Sequence, residues 1–152
     1  MFSHMFERCL YFNINALARA VNQRWEKAYQ AIGLSPAHAY LLRLVLSTPG
    51  ITQKQLAAEL RLAPSTITRF IDALVKRGLL QRQASGGDAR EWAIQPSDAA
   101  RSLHSELERI GQELYQSLRS TLGEAQCNGL VGDLRQTHDS LHSNRPVTGE
   151  QP

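Results

Sequence analysis

From Thr52 to Gln95 the chain switches from helical spacing of apolar residues to strand alternation, with Pro64 and Gly78 punctuating the change. That succession constrains the fold more than any other feature. Thr52 followed by Gln55 fits a capping box and opens a short helix through QKQLAAEL, which offers Leu56, Ala57 and Leu60 to a core. After the turn RLA, Pro64 starts a second helix through PSTITRFIDALVKR, and Gly78 closes it. Two alternating runs follow, LLQRQ (79–83) and EWAIQ (91–95), joined by ASGGDAR. They read as a hairpin with a glycine-rich tip, Trp92 packing with Ile94 on one side of the pleat.

Either side of this segment the pattern is helical. Leu10, Ile14, Leu17, Val21, Trp25, Ala28 and Ile32 recur at steps of three and four, so one helix is expected from Phe6 to Ile32, ended by Gly33. Ser35 and Pro36 begin SPAHAYLLRLVL, which has almost no polar face and is expected to be the central buried helix, stopped by STPG at 47–50. Ser97 caps one long helix carrying Leu103, Leu107, Ile110, Leu114 and Leu118, and a last helix runs from Glu124 to Leu141. The expectation is a single, mostly α domain over residues 1–142 with a small β-hairpin wing. Its winged helix-turn-helix spans about 35–96 between terminal helices at about 5–32 and 97–141, and 143–152 form a disordered tail. The terminal helices carry more apolar stripe than one small winged domain can cover, which implies a homodimer.

The charge is localised. Residues 51–95 hold seven basic side chains against four acidic ones, whereas the rest of the chain is balanced. A local basic excess suits a polyanionic partner, double-stranded DNA above all. On a helical wheel of STITRFIDALVK, Ile67, Phe70, Ile71, Leu74 and Val75 gather on one face; Ser65, Arg69, Asp72, Ala73 and Lys76 lie opposite, with Thr66 on the flank. Short hydroxyls at a helix start and one cation mid-face suit the major groove of DNA, where arginine can bond guanine in pairs. Arg69 is therefore the first candidate base reader, and Ser65, Thr66 and Thr68 suit bases or phosphates. The alternative is a winged helix used as a protein-binding module without sequence-specific DNA binding.

No nucleophile–base pairing, phosphate-binding glycine loop or zinc-peptidase motif is present, so an enzyme is not expected. No metal or cofactor site is expected either: His138 and His142 stand one turn apart without a carboxylate or cysteine at ligand spacing. The amino terminus has no signal-peptide pattern, no apolar run approaches a membrane span, and two distant cysteines do not make a disulfide scaffold. A cytoplasmic protein with no membrane partner is the expectation.

LAAELRLAPSTITRFIDALVKRGLLQRQASGGDARE resembles the DNA-binding core of the MarR family of bacterial transcription regulators, in its leucine spacing, hydroxyl-rich helix start, GLLxR leading into the wing, and Asp-x-Arg at the tip. The resemblance implies a dimeric regulator, more often a repressor, on a near-palindromic operator. It would place Ser65, Thr66, Thr68 and Arg69 in the major groove, Gln53 and Lys54 on phosphates, Arg90 in the minor groove, and Asp88 bracing Arg90. Ala89 stands where many members have a second arginine. The family's effectors imply two candidate sensors. Cys9, in the first helix, and Cys127 are the candidate redox pair for a peroxide effector. Trp25, Tyr29 and Tyr40 are the candidate pocket for a small aromatic ligand.

Overall fold

Hydroxyl, proline and glycine punctuation decides where the helices start and stop. The computed structural model describes residues 5–86 and 91–143. Helix α1 (Leu10–Tyr29) runs into a 3-10 turn (Gln30–Ile32) that ends on Gly33 at φ 65°. It begins later than expected, because the Asn13 side-chain amide donates to the carbonyls of Glu7 and Cys9, both at 2.8 Å, and folds the preceding residues into a turn. Cys9 therefore stands at the N-cap of α1 rather than within the helix.

Ser35 caps α2 (Pro36–Ser47), its hydroxyl accepting from the His38 amide at 3.2 Å. Leu41, Leu42 and Val45 of α2 are fully buried, as expected of a central helix. The capping box is complete: Thr52 Oγ1 accepts from the Gln55 amide, and Gln55 Oε1 accepts from the Thr52 amide, so α3 (Gln53–Leu60) begins where the pattern puts it. After Arg61, at φ 52°, α4 spans Pro64–Lys76 and closes at Gly78, φ 72°.

The sheet has one strand more than expected. Residues Ile51–Thr52 form β1, which pairs with β3 (Trp92–Pro96); β3 also pairs with β2 (Leu80–Ala84), giving an antiparallel order β1-β3-β2 with Arg82 opposite Ile94. Both hairpin strands lie one residue later than the alternation suggests, because the Leu79 amide is taken by the carbonyl of Leu74 in the turn closing α4. Ile94 is fully buried, but Trp92 is 46% exposed, so the pleat shared by these two residues does not make Trp92 a core residue.

The single helix expected after Ser97 is broken. Ser97 caps a short α5 (Asp98–Ser102), the Leu103 amide bonds back to Ala100 in a tightened turn, and α6 (His104–Leu122) follows. The last helix, α7, spans Glu124–His142.

The chain divides after Gly111 into two compact units. In the first, Leu41, Leu42, Leu56, Ile67, Ile71, Leu74, Leu80, Ile94 and Leu107 are buried to within 2% and form the core. In the second, Cys127 is buried, and Arg119 pairs with Glu124 at the join of α6 and α7.

Candidate nucleic-acid interface

Helix α4 buries Ile67, Ile71 and Leu74 and turns Ser65, Thr68, Arg69 and Asp72 outward, with Thr66 half-buried on the flank. Its start differs from those of α2, α3 and α5, whose first amides are each satisfied by a serine or threonine hydroxyl. Ala63 at the N-cap of α4 supplies no such acceptor. Pro64 has no amide proton and the Thr66 amide bonds back to the Ala63 carbonyl, so few amides are free here. Among the described residues, however, no side chain caps the positive end of the helix dipole, which faces the surface, where an anion is favoured.

Lys54 is exposed near the start of α3, and Gln53 is half-buried beside it. Gln53 Nε2 donates to Thr68 Oγ1 at 3.3 Å, and Thr68 in turn donates to the carbonyl of Pro64 at 3.0 Å. This chain of bonds ties α3 to the first turn of α4 and already uses both the proton and a lone pair of the Thr68 hydroxyl. Ser65 and Arg69 keep their polar atoms facing solvent.

Cations that look alike in the sequence separate here into two groups. Arg77 donates to the carbonyl of Gly33 at 2.7 Å, and Arg82 is paired with Asp72. Lys54, Arg69 and Lys76 form no ion pair among the described residues. Of these three, Lys54 lines an open cleft of about 1000 Å3 whose walls also include Gln53, Pro64, Thr68, Arg82, Glu91 and Trp92. Arg82 and Trp92 were not among the residues singled out from the sequence, where one reads as a strand cation and the other as packing. Asp88 and Arg90 lie outside the described residues.

The three aromatic candidates do come together. Trp25 Nε1 donates to the Tyr40 hydroxyl at 3.1 Å, and the Tyr29 and Tyr40 rings meet edge to face with centroids 6.3 Å apart. Arg43 lies 5.5 Å from the Tyr40 ring centre and is held by two hydrogen bonds to Glu108, at 2.9 and 3.1 Å. The Tyr29 hydroxyl is buried without a hydrogen-bond partner. Burial raises its pKa above the ordinary tyrosine value, with a further push from Tyr40 and partial opposition from Arg43.

Cys9 is half-buried and Cys127 buried, both as free thiols. His138 and His142 stack at 4.1 Å, and no cluster of three or more potential metal ligands occurs among the described residues. No described helix is long and apolar enough to cross a membrane.

Helix α4, the short α3 braced against it and the β2–β3 hairpin together make a winged helix-turn-helix arrangement. Residues 32–91 match the family model described as MarR family. A curated relative from Thauera aromatica, described as a transcriptional regulatory protein for the hcr operon, is 23% identical over 106 residues, which is 70% of this chain and 64% of that protein. The chain thus spans just under two thirds of that relative's length. Among solved structures, a MarR protein from Peptoclostridium difficile is similar with a TM-score of 0.79 and 19% identity, covering 94% of this chain and 96% of that one. The transcriptional repressor CouR, bound to a 23-mer DNA duplex, is similar with a TM-score of 0.78 and 22% identity, covering 88% and 94%. At these identities the structural likeness is one of fold.

Proposed function

We propose that this protein is a homodimeric repressor that binds a near-palindromic operator and is released by an effector. The observation that carries the reading is the uncapped N-terminus of α4 with Arg69 exposed mid-face and Lys54 beside it. In this reading α4 enters the major groove, Arg69 bonds a guanine edge, Ser65 and Thr66 approach bases or phosphates, and Lys54 neutralises a phosphate. Thr68 and Gln53 act mainly by holding the two helices in register, since each already occupies the other. Asp88 and Arg90 are assigned to the wing tip and the adjacent minor groove on the strength of the sequence motif. The fold shared with a repressor bound to a DNA duplex supports the same docking.

The effector reading that the geometry favours is a small aromatic ligand at Trp25, Tyr29 and Tyr40. A fully buried, unpartnered Tyr29 hydroxyl beside Arg43 offers both a donor and a nearby positive charge to a phenol or aromatic acid. The peroxide route through Cys9 and Cys127 has less support, because Cys127 is buried at a packing position.

The test is a mobility shift on the DNA upstream of the protein's own gene, with and without a salicylate-like phenol or an organic peroxide. Arg69→Ala is expected to weaken operator binding by about 1–3 kcal/mol and to relax preference at one base pair. Unchanged operator binding would remove Arg69 as the reader. Affinity that hardly varies with salt would favour a protein-binding module instead.

A further inference from the structure

The wing meets α4 through a contact that apolar packing does not explain. Leu80, Arg82 and Ala84 alternate onto one face of β2, opposite Pro96, Ile94 and Trp92 of β3. The seal fades outward along that face: Leu80 and Ile94 are buried, whereas Trp92 is exposed. Arg82 sits where the seal gives out. Its side chain is only 25% exposed, and its Nη2 donates to Asp72 Oδ1 at 2.5 Å.

Asp72 is an acid on the outward face of α4, which it shares with Arg69 and Lys76. Helical spacing offers it both of those cations, three residues before and four after. Its partner is instead the arginine on the wing. The pair therefore does two things at once: it offsets a negative charge on a surface offered to phosphates, and it links β2, the edge strand of the sheet, to the helix beside it.

We propose that Asp72 and Arg82 form a strut fixing the distance between α4 and the wing. Through it the protein selects operators by the spacing between the major-groove site and its outer flank. Both are positioning residues that act through the elements they join and touch no DNA themselves. The proposal rests on α4 being the groove-reading helix.

The experiment uses the full chain and a duplex that the wild-type protein selects from a random-sequence pool. If selection enriches no sequence, the DNA-reading assignment itself fails; if it does, the strut is tested on that duplex and on versions with one base pair inserted or removed between half-site and flank. Arg82→Ala is expected to bind the selected duplex roughly tenfold more weakly and to lose most of its discrimination against altered spacing. Its slope of log affinity against log salt should stay at the wild-type value, because no phosphate contact is removed. The exchange Asp72→Arg with Arg82→Asp should restore discrimination, and Arg82→Lys should restore it in part, since a lysine makes a single point contact. These two variants carry the test should Arg82→Ala melt below the assay temperature. Full spacing discrimination in Arg82→Ala would overturn the proposal. So would a salt slope reduced by about one, which would make Arg82 a phosphate contact, or an exchange variant that melts like wild type yet fails to discriminate.

Discussion

The winged segment and the long outer helices have similar apolar stripes in sequence, yet they treat them oppositely. Helix α2, with 12 residues, buries five of them, whereas α1 with 20 residues buries only Tyr29, and α7 with 19 buries only Cys127. Along α1, Leu10, Ile14 and Leu17 are 61%, 38% and 40% exposed; along α7, Val131 and Leu134 are 55% and 42% exposed. The difference teaches where each stripe finds its cover. In the winged segment the next element of the chain supplies it, through α2, α3, α4 and the sheet. On the outer helices no covering element is found among the described residues, which fits the proposed second copy better than a monomer in water.

Mutations can break that comparison. Leu74→Ala removes a fully buried side chain from the α4 core and should cost about 2–5 kcal/mol. Denaturant unfolding should show that loss at every protein concentration, because the cavity lies within one chain. Leu17→Asp, on the exposed stripe of α1, should leave the folding of the winged segment intact and weaken self-association by about 2–3 kcal/mol, through a charge placed in the proposed interface. Sedimentation across a dilution series reads this directly. A Leu17→Asp protein that associates like wild type would show that α1 is not covered by a second copy.

Legibility followed the same divide. The starts of α2 and α3 and the glycine closing α4 were readable because each rests on a local hydrogen bond or a positive φ that only certain residues supply. Strand β1 was not, since two residues carry no periodicity and Ile51 becomes a strand only by pairing with Ile94. The break between α5 and α6 was masked by an apolar stripe that continues through Leu103, Leu107 and Ile110. At the candidate interface, Arg69, Arg77 and Arg82 are the same letter; only the positions of the Gly33 carbonyl and Asp72 separate the cation without an ion pair among the described residues from the two engaged ones. Period-two alternation likewise put Trp92 on the correct face but could not say that the face runs out of cover before reaching it.

A smaller effect sharpens the comparison at α2 and α6, where the winged segment touches a long helix. Arg43 holds the Glu108 carboxyl below its ordinary value of 4.5, chiefly by hydrogen bonding, against some desolvation. A depressed acid stabilises the fold above its unfolded value, and that contribution is lost as pH falls through the folded one. The Glu108 side chain is 44% exposed, so solvent screening limits the contribution at neutral pH to about 1 kcal/mol or less. Glu108→Gln should lower stability by that amount at pH 7 and flatten the acid limb of a stability–pH curve; an unchanged limb would show that the pair is not formed in solution.

The smallest net effect is expected from Gly111→Ala, and its value lies in what it cancels. A Cβ at Gly111 would fall 2.7 Å from Arg43 Nη1, closer than carbon and nitrogen can pack. The obstructing atom is the end of a flexible side chain, so the guanidinium can swing away instead of forcing the helices apart. That movement gives up the Glu108 pair, while alanine in place of glycine inside α6 gains about 1 kcal/mol of helix propensity. The two terms nearly offset, and the melting temperature should barely change. The coupling should not be small: with Gly111→Ala already present, Glu108→Gln should have almost no further effect, because its partner has left. A double-mutant cycle by thermal melting decides the matter. Additive losses would mean that Arg43 keeps its grip on Glu108 with the methyl in place, and that Gly111 is not the residue making room for it.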